Sequence, residues 1–310
     1  MNNLAAKGVG NMAKAMDESL SDGAMRLYDL EGLDKSAYRA FFQSDVVLAL
    51  GAGAFEFRAL MDSLGDFDQS VQARVLCLHP FVDSRSTDIE QYQYEVGAEL
   101  GVITLLLAAL VGAHSQLPAV AMEFLKDLDI GHIASESALA EEELGNITHA
   151  LQQAQSPMIF IGEGFLRHKY AQLICKVVAI IEMYSKIAFI PSLAGIMQCQ
   201  KLDSSDVEQI LQALNNIPES NGAFVYLSPF DEENLVAPVL YATKMFLRLS
   251  HLEQGEQARL IVDCAEVACA IKQVEYLKGA TAVLKGWHTQ RERFYPFITA
   301  QFAQNGGYNG

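Results

Sequence analysis

The chain has 310 residues, of which 51% are hydrophobic and 19% charged, a balance typical of a soluble globular protein. Its 38 acidic and 22 basic side chains give a formal net charge of −16. That charge repels nucleic-acid phosphates and anionic lipid headgroups, so we expect no binding to nucleic acid and no direct insertion into a membrane.

The N-terminal twenty residues contain no basic segment followed by an apolar one, so we expect no secretory signal peptide. The densest apolar run, LGVITLLLAALVGA, covers 14 positions, fewer than the roughly 20 that span a bilayer. It predicts a buried core helix over 94–113 in a cytoplasmic protein. The five cysteines are an odd number, and we expect them to be reduced thiols.

The first half of the chain predicts an arm followed by an α/β unit. Residues 1–33 show no firm apolar period and predict a loosely held arm. The first unit is predicted over 34–135, with strands at 46–51 and 73–80. Each strand is a short apolar run that a glycine or a proline ends.

A second α/β unit is predicted over 136–286, after an acidic stretch that marks the boundary. Its first helix is predicted to start at an N-cap residue, Ser137, with the acids of 141–143 near the positive helix end. A later helix is predicted over 236–249. The predicted strands are 158–162, 186–191, 223–229, 258–264 and 280–286.

The last segment, residues 287–310, is an aromatic and glycine-rich tail. Aromatic residues are favoured at interface cores, so one interpretation is that the tail anchors on another subunit. The alternative is a tail folded back on its own domain. The sequence alone leaves both open.

Short apolar strands alternate with helices of ten to eighteen residues along most of the chain. This alternation is typical of parallel sheets that helices cover on both faces. The predicted fold class is therefore α/β, with two Rossmann-like parallel-sheet units.

Two strand-to-helix turns carry the Gly-x-Gly pattern and are the candidate cofactor-binding sites, through Gly51, Gly53, Gly162 and Gly164. A dinucleotide site needs a third glycine three residues further on, but those positions hold Glu56 and Arg167. Glu163 also places a carboxylate within the second turn. We therefore interpret the turns, 111 residues apart, as equivalent parts of a duplicated scaffold, one in each unit.

No catalytic residue or metal site is predicted. The histidines at 79, 114, 168 and 288 have no partner at a spacing that fixes geometry, and HExxH, G-x-S-x-G and CxxC patterns are absent from the sequence. Asp83 lies near His79 at a predicted strand end. Cys264 and Cys269 form a lone C-x4-C pair, whereas structural zinc and iron–sulfur clusters need four ligands.

Four strings follow one another in a recognisable order. They are LHPFVDSRSTDIEQYQYEVGAELGVITLLLAALV, FLKDLDIGHIASESALAEEELGNITHAL, SPMIFIGEGFLRHKYAQLICKVVAIIEMYSKIAFIPSLAGIMQCQKLD and FVYLSPFDEENLVAPVLYATKMFL. Together they resemble the molybdopterin-oxidoreductase-type region of the large peripheral-arm subunit of bacterial NADH-quinone oxidoreductase (complex I). The resemblance covers about residues 40 to 250 and leaves out the N-terminal iron–sulfur part of that family.

The resemblance implies paired α/β domains of molybdopterin-oxidoreductase type, with a vestigial cofactor site at the glycine turns and no bound cofactor. It implies a structural subunit without its own active site, which supports electron transfer from NADH to quinone by neighbouring cluster-bearing subunits. Its partners would be other peripheral-arm subunits, and the complex would hold it against the inner membrane from the cytoplasm. The alternatives are a free-standing molybdopterin- or nucleotide-binding oxidoreductase, and an interaction module that shares only the fold.

Overall fold

In a computed structural model, the chain divides into two compact units. One contains the described residues of Met1–Pro80 and Asp88–Glu219, and the other those of Phe81–Thr87 and Ser220–Gly310. The predicted boundary between residues 135 and 136 therefore falls inside the first unit. The predicted arm over 1–33 lies outside the described residues. Those are 43–54, 57–58, 73–82, 86–112, 117–190, 204–214, 223–227, 237–262, 265–277, 279–287 and 296–303.

The first unit is built around a five-stranded sheet in the order β3-β2-β1-β4-β5, and all its strand pairs are parallel. The central strands VVLAL and PMIFI are buried at every position, as expected for a sheet that is covered on both faces. The strands are β1 (Val46–Leu50), β2 (Arg74–His79), β3 (Glu90–Gln93), β4 (Pro157–Ile161) and β5 (Ala188–Ile190).

Seven described helices accompany this sheet: α1 (Glu99–Val111), α2 (Ala119–Asp127), α3 (Ile130–Glu136), α4 (Glu141–Gln153), α5 (Glu163–Leu166), α6 (Ala171–Tyr184) and α7 (Ser204–Ala213). The predicted apolar helix is confirmed as α1, which is buried along most of its length and packs against α3, α4 and α6. Helix α7 packs against α2 and α6. Among the described helices, none is long and apolar enough to cross a membrane.

The predicted N-cap at Ser137 is wrong. Ser137 is instead the C-cap of α3, and its N–H donates to the carbonyl oxygens of Ile133 and Ser135. Helix α4 starts at Glu141, and the carboxylate of Glu143 accepts from the N–H of Ala140 at 3.1 Å. The acidic first turn is confirmed, but a glutamate rather than a serine side chain bonds the helix start.

The second unit contains a six-stranded sheet in the order β11-β6-β10-β7-β9-β8. The α/β class is confirmed, but the prediction of a second parallel sheet is wrong. Parallel pairs β6–β10 and β7–β9 alternate with the antiparallel pairs β6–β11, β7–β10 and β8–β9. The elements are β6 (Phe224–Leu227), β7 (Val239–Ala242), α8 (Lys244–Leu249), β8 (Gln257–Val262), β9 (Ala265–Gln273), β10 (Thr281–Lys285) and β11 (Phe297–Thr299).

The predicted helix over 236–249 is wrong in its first half, which contains strand β7. This strand pairs with β9 on one side and β10 on the other, so its backbone groups are satisfied by the sheet. Thr243 then caps α8, because its hydroxyl accepts from the N–H of Phe246 at 3.0 Å. In the predicted tail, β11 folds back to pair with β6 of its own unit.

Asp45 connects three strands of the parallel sheet. Its carboxylate accepts from the N–H groups of Gln155 at 2.7 Å and Ser156 at 3.0 Å, just before β4. Its carbonyl oxygen accepts from the N–H of Arg74 in β2 at 2.9 Å. The two hydrogen bonds to the carboxylate lower the pKa of Asp45 below its usual value of 3.8.

We expect Asp45→Asn to lower the free energy of unfolding by about 1 kcal/mol at pH 7, since a charged acceptor of two hydrogen bonds is lost. Because the folded pKa is depressed, this stabilisation exists above pH 3.8 and is lost as the pH falls through the folded pKa. Urea unfolding followed by circular dichroism between pH 7 and pH 3 measures the difference.

The matched control is Glu253→Gln, at an exposed position before β8, which we expect to leave the free energy of unfolding unchanged. A loss in Asp45→Asn that stayed constant down to pH 3 would show that the carboxylate charge does not contribute.

Candidate functional site

The candidate site lies where the strand order of the parallel sheet reverses. From β1 the chain proceeds to β2 and β3 on one side, and later returns to place β4 and β5 on the other. In open parallel sheets, ligands bind beyond the carboxyl ends of the strands at such a reversal. Leu50 and Ile161 are register partners at these ends of β1 and β4. Gly51 and Gly162 are therefore side by side.

The interpretation of the glycine turns as equivalent parts of two units is wrong, because both turns belong to one sheet. Between them the chain forms β2, β3 and four of the described helices before β4 pairs with β1. The four candidate glycines are thus brought to a single edge. This juxtaposition depends on strand pairing across the whole unit and is not encoded near either turn.

The two turns approach each other so closely that no side chain fits at Gly162. A Cβ atom at Gly162 would lie 2.5 Å from the backbone of Gly51 and from the nitrogen of Ala52. The N–H of Gly162 donates to the carbonyl of Leu50 at 2.7 Å, and that of Gly164 donates to Gly51 at 3.3 Å. Gly51 also has φ +72°, a conformation that favours glycine.

Two aromatic side chains fill the crevice above the turns. The ring of Phe165, which is completely buried, reaches within 2.5 Å of where a Cβ atom at Gly51 would lie. Tyr94 is 1% exposed, and its ring meets the Phe165 ring edge-on with centroids 6.0 Å apart. The Tyr94 hydroxyl oxygen lies 3.6 Å from the Cβ position of Gly164.

This packing does not fit a phosphate between the turns. An anion cradle presents backbone N–H groups to the ligand. Here the N–H groups of Gly51, Gly162 and Gly164 donate to carbonyl oxygens of the chain, with Gly51 bonding Leu78 at 2.9 Å. The side chain of Glu163, predicted to project into the second turn, lies outside the described residues.

A buried polar cluster lies beside the aromatic pair. The Tyr94 hydroxyl donates to Glu99 Oε1 at 3.4 Å, and Glu99 Oε2 lies 3.5 Å from His168 Nε2. Glu99 is completely buried, and the side chain of His168 is 2% exposed. His168 Nδ1 accepts from the N–H of Tyr170 at 3.2 Å, which places the proton of a neutral imidazole on Nε2.

Burial of the imidazole, and then the nearby Lys169 cation, lower the pKa of His168 from 6.5 to about 4, although a hydrogen bond to the Gly97 backbone opposes the shift. The imidazole is therefore neutral near pH 7. The cluster joins Tyr94 after β3, Glu99 in the first turn of α1 and His168 after α5. Because solvent does not reach the cluster, we assign it a structural role, in which its contacts hold these three segments together.

His79, Cys175 and Cys269, for which no role was predicted, lie on separate elements. His79 ends β2 and is 1% exposed. Burial raises the pKa of the Cys175 thiol to about 12 and that of Cys269 to about 11, so neither is a reactive thiolate near pH 7. No described residues form a group of three or more metal-binding side chains. Five further residues without a predicted role lie outside the described ranges: Asp83, His114, Cys199, Cys264 and His288.

Tyr94, Glu99 and Phe165 were not predicted as site residues, because they belong to no motif. One signal was available: Glu99 stands directly before the apolar run of α1, where a charged residue is buried only if other groups satisfy it.

Among known proteins, no family model matches the chain and no curated protein matches it.

We expect Gly162→Ala to destabilise the first unit by more than about 2 kcal/mol, because the added methyl group collides with rigid backbone. The matched control is Gly145→Ala in α4, where a Cβ atom meets nothing within 4 Å. That change stabilises by up to about 1 kcal/mol through helix propensity. Thermal unfolding of both variants tests the close approach, and equal midpoints would contradict it.

We expect His168→Asn to remove part of the acid sensitivity of the protein. The native pKa of about 4 lies below the unfolded value of 6.5, so the unfolded chain binds the proton first. Stability contributed by the neutral histidine is complete above pH 6.5 and decreases by up to roughly 3 kcal/mol as the pH falls to about 4.

Scanning calorimetry of wild type and His168→Asn between pH 7 and pH 4 measures this effect. The loss of stability on acidification should be smaller in the variant, even if its stability at pH 7 is lower. Parallel pH profiles would show that His168 does not titrate as described.

Proposed function

We propose that this chain is a non-catalytic scaffold subunit in the peripheral arm of a bacterial NADH-quinone oxidoreductase, with units of molybdopterin-oxidoreductase type. It supports electron transfer from NADH to quinone, which neighbouring cluster-bearing subunits carry out. The resemblance of about residues 40 to 250 to the large peripheral-arm subunit of that complex supports the proposal. Other arm subunits are its partners, and the complex holds it on the cytoplasmic side of the inner membrane.

The observation that carries the proposal is the filled crevice between β1 and β4. A parallel sheet of this strand order places its ligand at the reversal, yet Phe165 and Tyr94 occupy that position and are nearly inaccessible to solvent. The N–H groups of Gly51, Gly162 and Gly164 donate to carbonyl oxygens within the chain. A parallel sheet whose usual ligand position is packed with buried side chains supports a scaffold role.

The alternative is a free-standing molybdopterin- or nucleotide-binding oxidoreductase, and the strand-order reversal favours it. Binding in the crevice would require both aromatic side chains to leave it, at a cost of about 1.5–3 kcal/mol for each side chain that loses its burial. It would also require the Gly51 and Gly162 backbones to separate. These costs make the scaffold the better-supported function.

The test is to tag, at its native locus, the protein that carries this chain, and to purify it from membranes in mild detergent. We expect the cluster-bearing arm subunits to co-purify, together with NADH oxidation by the assembled complex. The denatured preparation should release no pterin or nucleotide in proportion to this chain. The same tag on an unrelated acidic protein controls for charge-driven association.

Two results would contradict the proposal. Recovery of the protein alone, at equal yield from wild-type and complex-deficient cells, would remove the scaffold role. One pterin or nucleotide per chain in the denatured preparation would favour the alternative instead, since the crevice would then open to a ligand in the cell.

A further inference from the structure

The net charge is distributed unequally between the two units. The unit formed by Met1–Pro80 and Asp88–Glu219 contains 28 acidic and 13 basic side chains, a net charge of −15. The other unit contains 10 acidic and 9 basic side chains, a net charge of −1. A protein surface that binds the first unit should therefore present cations. The second unit, which is almost neutral, is the part of the chain that the first unit of another copy does not repel.

Helix α8 in the second unit has an exposed face of two parallel rows. Phe246 is 0% exposed and anchors the helix in the core. The outward apolar row is Met245 and Leu249, which are 56% and 55% exposed, more than any other large hydrophobic residue in the described ranges. The second row is Lys244 and Arg248, which are also exposed. Each of these residues directly precedes a residue of the apolar row in the sequence.

Helix α2 in the first unit has the complementary pattern. Its apolar row is Val120, which is 45% exposed, and the half-buried Phe124. Its charged row is Glu123 and Asp127, both exposed. Residues four apart lie on one helix face, so each pair forms a row. The charged residue Glu123 again precedes an apolar one, as Lys244 does in α8.

We propose that α8 of one copy of this chain docks on α2 of a second copy, with the two helix axes antiparallel. The charged row lies on the same side of the apolar row in both helices. Two such faces that meet with antiparallel axes bring cations against carboxylates and apolar side chains against apolar side chains. The inference goes beyond the scaffold role and does not depend on it.

The contact is small, because α8 has six residues and α2 has nine. Specific interfaces bury about 1,200–2,000 Å², so a pair of short helices gives a weak, micromolar association. Where the two rows meet, opposite charges lie closer together than the Debye length of about 8 Å at physiological salt, so their attraction persists. The repulsion between whole molecules acts over longer distances and is screened. An anionic membrane would pair with the cations of α8 but would leave the acidic row of α2 unused.

The test uses the full chain and two charge-reversed variants. Lys244→Glu/Arg248→Glu makes both faces acidic, and Glu123→Lys/Asp127→Lys makes both faces basic. Sedimentation equilibrium between about 1 and 100 μM covers the range of a weak contact. We expect the average mass of the native chain to rise above 34.0 kDa with concentration. Salt at 1 M, where the Debye length is about 3 Å, should weaken this rise.

Each variant alone should remain at 34.0 kDa, and an equimolar mixture should regain association, because mixing restores opposite charges at both faces. The control, Arg259→Glu/Lys272→Glu, changes the charge of the second unit equally but lies outside α8, and should associate like the native chain. Unchanged circular dichroism of all variants confirms that they fold.

Several outcomes would overturn the inference. One is a native chain that remains monomeric up to about 100 μM, and another is a mixture of the two variants that fails to associate. Co-sedimentation of the native chain with phosphatidylglycerol vesicles, lost in Lys244→Glu/Arg248→Glu, would assign the α8 face to a membrane instead.

Discussion

The contact between the backbones of Gly51 and Gly162 is the constraint on which the edge of the parallel sheet depends. Strands β1 and β4 are hydrogen-bonded to their last residues, so the turns that follow them start in contact. No side chain fits at position 162, and the N–H groups of Gly51, Gly162 and Gly164 donate to neighbouring carbonyl oxygens. With the turns closed in this way, Phe165 can lie directly over Gly51.

The buried polar cluster accounts for how the aromatic pair is held. Burying a carboxyl group and an imidazole is costly unless they are satisfied, so their presence requires compensating contacts. Tyr94 and His168 both reach Glu99, and Tyr94 also packs on Phe165. The cluster therefore fixes the start of α1 and the segment after α5 around the filled crevice. A rigid, closed edge of this kind agrees with the proposed scaffold role.

Strands with continuous apolar runs were predictable, and those without them were not. Strands β1 and β4 are buried on both faces, so their sequences are apolar throughout. Strand β3 lies at an edge of the described sheet, and three of its four side chains (EQYQ) are partly or fully exposed, so no apolar run marks it in the sequence. Strand β7 was predicted as helix, since a short apolar run adjoining a true helix has no periodicity that separates the two.

By itself, the sequence determined the α/β class, the apolar helix α1 and the glycine positions, because hydrophobic runs and turn residues act over a few positions. Only the tertiary structure decided that both glycine turns share one edge, since 111 residues separate them and pairing of distant strands is non-local. It also decided which charges are buried and which are exposed. Glu99 and Glu123 are the same residue type in sequence, and packing alone places one in the core and the other in solvent.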